Sequence, residues 1–524
     1  MKAKILKTIS AFCVTAIMAT SLAACGGSTN SSKSGGSTQE AKKEPPMKVS
    51  IATIHFSPNP PALEGTPILK RLNELTNAEL DIKWIQSSGY QEKLNVSIAA
   101  GEMSDITLLL EHKNSMTINS FINGVFWEIG PQLSKYKNLA AMDKDVMNNV
   151  SIEGKIYSIP RNRPTVRMGL TVRKDWMDAL GIKEIKTPDD IYNTLKAFTL
   201  NDPDKNGKND TLGVALTETS YRYIDATLQT VLAIMGGGNQ YELKNGKLTP
   251  VWLTNEYVDA LNFLKKLYDE KLINQDFTVT KSATAQQKFE KGETGMVIGA
   301  SNTENWIKKA EENNPKARGL TVYTVNGKNG AKMAASDGFY GEYAINKKVD
   351  EKKMLKCLEV LNALAGQEAY DICYYGLKDE HYTETPEGAF TINPEQEKKF
   401  KEERPSDLTA LALHDKVTPN LKNRTPKPAA EDAAWKHFQY EFVKKTTEEA
   451  PKLAVFNPIA PLVSQTDAEK SATLNKIVYD NTAKYILGNI NLDEFKKEME
   501  RWKKEGGDKI IEEYNAAHQK SVKK

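Results

Sequence analysis

A short acidic segment, residues 202–210 (DPDKNGKND), places oxygen donors at alternate positions. Gly207 at its sixth position permits a sharp turn. Calcium takes about six to eight oxygen ligands, which carboxylates, an amide and a backbone carbonyl at Lys208 would supply. The spacing therefore predicts a calcium loop whose ligands at positions one, three, five, seven and nine are Asp202, Asp204, Asn206, Lys208 and Asp210.

This loop lacks the residue that usually supplies two oxygens to such an ion. An EF-hand has glutamate at the twelfth position, and this sequence has Gly213 there. The two-oxygen ligand must then come from Asp210, from Glu218 or from a distant acid. A metal-free turn rich in aspartate and asparagine is the alternative. We expect a structural ion, because no catalytic base is visible beside the loop.

A helix with clear start signals leads into the loop. Residues 187–190 (TPDD) have the pattern of an N-cap, a proline in the first turn and acids that favour a helix N-terminus. Ile191, Leu195 and Phe198 then recur at helical spacing. Upstream, residues 154–160 (GKIYSIP) predict a turn and a short apolar strand that ends at Pro160.

The segment of residues 47–110 alternates between strand and helix patterns. Strands are predicted over 47–54, 79–85 and 105–110, and helices over 68–75 and 90–100. This alternation predicts an α/β protein with a mostly parallel sheet and helices on both faces. Ligands in such folds bind at loops that follow the carboxyl ends of strands.

The start of the chain has the features of a lipoprotein signal. Lysines open it, an apolar run follows, and residues 22–25 (LAAC) form a lipobox. We expect residues 1–24 to be a signal peptide and Cys25 to carry the lipid, palmitate included, on the extracytoplasmic face of the cell membrane. A plain secretory signal with a chance cysteine is the alternative. Residues 25–46 have almost no apolar side chains and predict a disordered tether.

Composition excludes two classes of partner. Removing residues 1–24 takes away three lysines and no acid, so Lys+Arg falls from 71 to 68, the same number as Asp+Glu. Nucleic-acid binding needs a basic face, so we expect no nucleic acid, and membrane contact only through the lipid anchor.

Cys357 and Cys373 remain in the mature chain. An exported protein could pair them, but their apolar helical neighbours favour two buried thiols.

The order of these parts resembles the family 1 extracellular solute-binding proteins, in their large lipoprotein branch. Three further segments carry the resemblance: residues 93–106 (KLNVSIAAGEMSDI), 374–382 (YYGLKDEHY) and 493–518 (DEFKKEMERWKKEGGDKIIEEYNAAH). The family's members are the capture subunits of ABC importers for sugars and oligosaccharides. The resemblance implies a monomeric binding protein that is not an enzyme and works with ABC permease subunits.

The resemblance also implies two lobes joined by three hinge crossings. Lobe 1 is expected to comprise residues 47–168 with 301–378, and lobe 2 residues 169–300 with 379–524, including the calcium loop. The crossings are expected near residue 166, after a strand over 291–298, and near residues 374–382.

Sugar recognition needs flat apolar faces for the pyranose ring and planar polar groups for its hydroxyls. An extended segment would point Tyr221 and Tyr223 the same way. Arg161 and Arg163 could pair with a uronic-acid carboxylate, with solvated loop arginines as the alternative. For each candidate singly, a core or surface role is the alternative. The candidates in loops expected to face the cleft are His55, Arg161, Arg163, Tyr221, Tyr223, Asn239, Trp306, Tyr340, Tyr374 and His381.

Catalytic motifs are not found in the sequence. It has no nucleophile-elbow serine, no HExxH helix and no phosphate-binding glycine loop, and its six histidines are scattered. The first hypothesis is therefore a lipid-anchored protein that captures a sugar or oligosaccharide by closure of its lobes. The alternatives are a surface-anchored carbohydrate-active enzyme, and a structural or sensory lipoprotein that transports nothing.

Overall fold

The computed structural model describes residues 46–166, 168–299, 303–413 and 425–522. The predicted signal peptide, most of the tether and the lipidation site at Cys25 lie outside the described residues. Within the ranges given, no helix combines the length and the apolar character needed to cross a membrane.

Strands and helices alternate along the described chain. The strands are β1 (Met47–His55), β2 (Ala78–Gln86), β3 (Ile106–Leu109), β4 (Ser158–Asn162), β5 (Leu170–Arg173), β6 (Leu212–Val214), β7 (Tyr241–Lys244), β8 (Lys247–Pro250), β9 (Thr294–Ile298), β10 (Gly319–Val322), β11 (Asn326–Gly327), β12 (Gly330–Ala331), β13 (Met333–Ala334), β14 (Phe339–Ile345), β15 (Thr383–Glu384), β16 (Phe390–Thr391) and β17 (Ala454–Val455). The helices are α1 (Pro67–Thr76), α2 (Tyr90–Ala100), α3 (Ser115–Ile122), α4 (Lys137–Ala140), α5 (Lys144–Asn149), α6 (Lys174–Ala179), α7 (Pro188–Leu200), α8 (Ala226–Ile234), α9 (Asn255–Asp269), α10 (Ser282–Glu290), α11 (Glu304–Asn313), α12 (Glu351–Leu364), α13 (Gln367–Tyr375), α14 (Pro394–Glu403), α15 (Ala434–Glu448), α16 (Gln465–Ile486), α17 (Leu492–Trp502) and α18 (Asp508–Val522).

The first sheet has the strand order β2-β1-β3-β14-β4. Its first three strands are parallel, and β14 is antiparallel to both of its neighbours. The strands and helices predicted over residues 47–110 are confirmed. The prediction that Pro160 ends its strand is wrong, because β4 continues to Asn162. Proline has no backbone N–H to donate. Because β4 is an edge strand, Pro160 can lie in it with its nitrogen on the side that has no partner strand.

The second sheet has the order β10-β5-β9-β6, and only β6 and β9 are parallel. The strand predicted over 291–298 is present as β9, but no crossing follows it directly. The chain continues through α11 and β10, which pairs with β5, before it returns to the first sheet at β14. In the segment 374–382, Tyr374, Tyr375 and Leu377 pack against the core of the first sheet, and the crossing expected there stays a prediction.

Each sheet has its own apolar core, which gives a two-lobed α/β fold. A smaller cluster that includes Val166, Tyr323 and Met333 lies along the connections between the sheets. The predicted lobe boundaries stay a prediction, and two segments differ from them. Strand β10 belongs to the second sheet, and Leu408 and Leu411 lie in the core of the first.

Helix α7 begins as its sequence signals predict. The Thr187 hydroxyl accepts a hydrogen bond from the Asp190 backbone, and the Asp190 carboxylate accepts one in return, which forms a capping box. The three apolar residues of the predicted periodicity are buried in the second core. Strand β6 packs directly on this helix, since a Cβ at Gly213 would lie only 2.9 Å from the Leu195 Cβ.

Cys357 and Cys373 are unpaired and buried in the first core. Burial raises the pKa of each thiol to about 12. The prediction of two buried thiols is therefore confirmed, and neither is a reactive thiolate at neutral pH.

Candidate functional site

The carboxyl ends of four strands and the start of a fifth meet at one edge of the first sheet. Strands β1, β2, β3 and β4 run towards this edge, and the antiparallel β14 begins there. The chain leaves the first sheet after β4 and returns at β14. This edge therefore borders the connections to the second sheet, where ligands bind in open α/β folds.

Two aromatic side chains at this edge are open to solvent. Phe56 follows β1 and is 55% exposed, and Tyr340 lies on β14 and is 44% exposed. The Asp407 carboxylate accepts hydrogen bonds from the Phe56 and Ser57 backbone amides, both at 3.0 Å, and so fixes the loop that carries Phe56. Exposed rings on a fixed backbone offer flat faces for the apolar side of a pyranose.

Arg161 lies beneath the exposed Tyr340 ring. The guanidinium carbon is 5.6 Å from the ring centroid, and Nη1 is 3.4 Å from the Tyr340 carbonyl oxygen. Arg161 is 3% exposed. Burial and the neighbouring Arg163 lower the pKa of Arg161 to about 10, so it still carries its charge at neutral pH.

The second sheet has a cavity at the carboxyl ends of its two parallel strands. Its volume is about 170 Å³, and it lies between β6, β9 and the start of α8. Ile298 at the end of β9 lies opposite Leu170, where the chain enters from the first sheet. The cavity therefore also borders the connections between the lobes. Its polar lining comes from Thr217, Thr219, Ser220, Asp225, Thr227, Ser282 and Thr294.

Trp306 forms an apolar wall of this cavity. It is half-buried and packs on Phe289 with a ring-centroid distance of 6.1 Å. Hydroxyl groups beside an indole face match the two surfaces of a sugar ring. The cavity is therefore suited to one ring of a glycan.

The other predicted ligand residues have partners within the protein. Tyr223 is buried between Trp252 and Tyr479, and Tyr221 packs on Phe277. The segment that holds both tyrosines forms turns rather than an extended strand, so the predicted shared direction does not follow.

His55, Arg163, Asn239, Tyr374 and His381 also bond or stack within the lobes. His55 Nδ1 lies 2.9 Å from the Ser57 carbonyl oxygen, and Arg163 donates to the Asn162 carbonyl at 2.8 Å. Asn239 donates to the carbonyl oxygen of Ala335, which follows β13, and to that of Val455 in β17. Tyr374 stacks on Tyr370, and His381 accepts from the Leu377 backbone amide. As ligand contacts, these residues stay predictions.

The predicted calcium loop is exposed and tightly bonded within itself. Asp202 accepts from the backbone amides of Asn206 and Gly207 at 3.1 and 2.9 Å. The Asn206 side-chain amide donates to Asp204 at 2.8 Å and to Asp210 at 3.1 Å, and so lies between two carboxylates. Burial and the hydrogen-bonded Asp202 carboxyl raise the pKa of Asp204.

The donors of this loop are of the kind that calcium binds, and Asp210 remains a source for the two-oxygen ligand, since both of its carboxylate oxygens lie within 3.4 Å of the Asn206 amide nitrogen. Turning the Asn206 amide over would point its oxygen between the same carboxylates. However, the twelfth position is closed by the contact of Gly213 with Leu195, and Glu218 is paired with Lys281 at 2.5 Å. Among the described residues, no group of three or more His, Cys, Asp or Glu side chains is arranged to hold a metal ion.

Phe56 and Phe456 are exposed aromatic residues that sequence reasoning did not select. Phe56 lies in the loop that was expected directly after the predicted strand of residues 47–54, so its position in the chain was a usable signal. Phe456 follows β17, whose pairing with β13 joins residues far apart in sequence. No local pattern indicates that pairing.

The sequence is similar to known extracellular proteins of bacteria. Residues 68–374 match the model of a family described as bacterial extracellular solute-binding protein. The chain is 35% identical over 500 residues to the polygalacturonan/rhamnogalacturonan-binding protein YtcQ of Bacillus subtilis (strain 168), covering 95% of each protein. It is 33% identical over 506 residues to the lipoprotein LipO of the same organism, covering 95% of this chain and 96% of LipO.

The fold is similar to that of a solved ABC-transporter substrate-binding protein. The Streptococcus pneumoniae protein FusA, solved as an EF-hand mutant in complex with fructo-nystose, superposes with a TM-score of 0.63. The match covers 91% of this chain and 100% of that chain at 16% sequence identity. At this identity the likeness shows the fold alone, and it agrees with the two-lobed architecture.

Proposed function

Because this chain belongs to the bacterial extracellular solute-binding proteins, we propose that it captures an oligosaccharide and delivers it unchanged to an ABC permease. Two relatives support a carbohydrate ligand, since YtcQ is named for polygalacturonan and rhamnogalacturonan and FusA was solved with fructo-nystose. The observation that carries the proposal is the hydroxyl-lined cavity with its Trp306 wall at the lobe connections.

Capture works through closure of the two lobes. One sugar ring occupies the cavity of the second sheet, and a neighbouring ring lies on Tyr340 or Phe56 of the first. A glycan that contacts both edges binds the closed state more tightly than the open state and therefore shifts the population towards it. No bond in the sugar has to break, so the protein acts as a binding protein and not as an enzyme.

The proposed site combines residues from both lobes. Trp306, Arg161 and Tyr340 from the sequence prediction are retained, and Arg163 is kept as the second cation beside Arg161 although it also bonds to the Asn162 carbonyl. Phe56 is added because it is exposed at the same edge. The remaining predicted contacts already have partners within the protein, so they are expected to shape the lobes around the ligand.

We propose that the protein is held at the outer face of the cell membrane by a lipid on Cys25. The lipobox supports this location, as does the similarity to a protein named a lipoprotein. A monomer at the end of the tether of residues 25–46 could reach permease subunits in the same membrane.

We also propose that residues 202–210 bind a structural calcium ion. The alternating donors support it, and FusA is described as having an EF-hand. With an affinity typical of extracellular calcium sites, millimolar calcium should raise the melting temperature of the wild type by about 1–2 °C. A chelator should reverse the shift and leave glycan affinity unchanged, as calorimetry can measure.

The matched variant for this prediction is Asp204→Asn, which removes one charge but keeps the shape of the loop. It should respond little to either calcium or chelator. Loss of glycan binding in chelator without any change in melting temperature would contradict a structural ion and place the metal at the sugar.

The function itself is tested by thermal shift of residues 47–524 against a panel of oligosaccharides. We expect a saturable rise in melting temperature with at least one glycan, because a ligand that binds only the folded state stabilises it. The glycan should be recovered at its original length. Shortened products would favour the carbohydrate-active enzyme, and no shift with any glycan would contradict sugar capture.

A further inference from the structure

Arg161 is a buried cation with no acidic partner in the part of the chain that the structure describes. Its Nε is buried and has no hydrogen-bond partner, and its Nη1 makes one long contact, to the Tyr340 carbonyl. The groups that act on its charge are Arg163, which has the same sign, and three tyrosines, Tyr340, Tyr343 and Tyr374.

A second buried arginine, Arg173, lies in a similar environment but has an acidic partner. Arg173 is 1% exposed and lies 5.1 Å from the ring of Trp176, much as Arg161 lies near Tyr340. Arg173 also forms two hydrogen bonds to Asp175, at 2.9 and 2.6 Å. The two arginines share burial and an aromatic neighbour and differ in their counter-charge.

An unpaired buried charge costs folding free energy, because the group loses water without gaining an ion pair. The position of Arg161 indicates that ligand binding is what the uncompensated charge serves. It lies one residue before the end of β4, at the edge that borders the lobe connections, and its cover is the exposed Tyr340 ring. Of the aromatic residues that act on Arg161, Tyr340 is the one with a ring over the guanidinium that is also exposed to solvent.

We propose that Arg161, assisted by Arg163, binds a carboxylate of the captured sugar, so that the preferred ligand is a uronic-acid oligosaccharide. This rests on the proposed function. The planar guanidinium matches a carboxylate through two parallel hydrogen bonds, which a neutral hydroxyl cannot reproduce. Closure of the lobes excludes water and strengthens the pair.

The experiment compares a trisaccharide of galacturonate with its methyl ester, and a trisaccharide of mannuronate with its ester, by calorimetry on the mature protein. Each ester keeps the rings and removes the charge. At least one of the two acidic trisaccharides should bind at least ten times more tightly than its methyl ester. Arg161→Gln should bring the ratio of acid to ester affinity close to one. Arg161→Lys should restore only part of the wild-type ratio, because lysine lacks the planar fork.

The melting temperature of the ligand-free protein separates a binding role from a structural one. Arg161→Gln should leave it unchanged or raise it, because an unpaired buried charge is lost. Arg173→Gln is the matched control and should lower it, since Asp175 loses its partner, while the acid-to-ester ratio stays the same.

Equal affinity for acid and ester in the wild type would overturn the inference, and so would destabilisation by Arg161→Gln with an unchanged ratio. Binding of neutral glycans alone would overturn it and leave the proposed function standing. Failure of every glycan, acidic or neutral, would overturn both.

Discussion

Replacing Trp306 with alanine should weaken glycan binding roughly thirtyfold, which corresponds to about 2 kcal/mol. Trp306 is the aromatic wall of the cavity at the carboxyl ends of β6 and β9. Its loss removes the flat apolar face on which a sugar ring stacks. The ring then keeps only its contacts with the hydroxyl groups of the cavity. Calorimetry with the glycan identified by thermal shift measures the change.

Trp435→Ala is the control for this prediction. Both tryptophans are half-buried and pack on the same small apolar cluster, but only Trp306 lines the cavity. The two variants should lose similar stability, whereas only Trp306→Ala should lose affinity. Equal affinities in the two variants would place the sugar elsewhere.

His112→Ala should destabilise the protein by about 3–5 kcal/mol. His112 Nδ1 is 2.6 Å from Glu342 Oε1, and Ser158 donates to the other carboxylate oxygen at 2.5 Å. Glu342 is fully buried on β14, two residues after Tyr340. Without His112 the carboxylate has no basic partner among the described residues, so the melting temperature should fall by about 10 °C.

The double variant His112→Ala/Glu342→Gln tests the cause of this effect. The neutral amide can still accept from Ser158 and carries no charge that needs a partner. The double variant should therefore be more stable than His112→Ala alone. If it were less stable, the effect would come from lost packing against Phe339 rather than from an unpaired charge.

Local signals in the sequence predicted the elements that carry the site. The start of α7 and the strands and helices of residues 47–110 could be predicted, because caps, glycine stops and apolar periodicity act over a few residues. The resemblance of ordered segments added the two-lobed fold. Arg161 was expected to follow the end of its strand at Pro160, whereas it lies within β4, one residue before the strand ends.

Contacts between distant segments could not be predicted from such signals. Tyr221 and Tyr223 were expected to project together, but backbone hydrogen bonds such as that from the Arg222 amide to the Thr219 carbonyl form turns there. Tyr223 is then buried by residues from other parts of the chain. The pairing of β10 with β5 likewise depends on the tertiary fold, and no local signal in the sequence indicates it.

Native mass spectrometry of the protein with the glycan that gives the largest thermal shift tests the central claim most directly. The account predicts one complex, whose mass is that of the protein plus one intact glycan, and release of the same glycan when the complex is dissociated. Free glycan that becomes shorter during incubation, or protein that never carries a glycan, would contradict capture between two lobes.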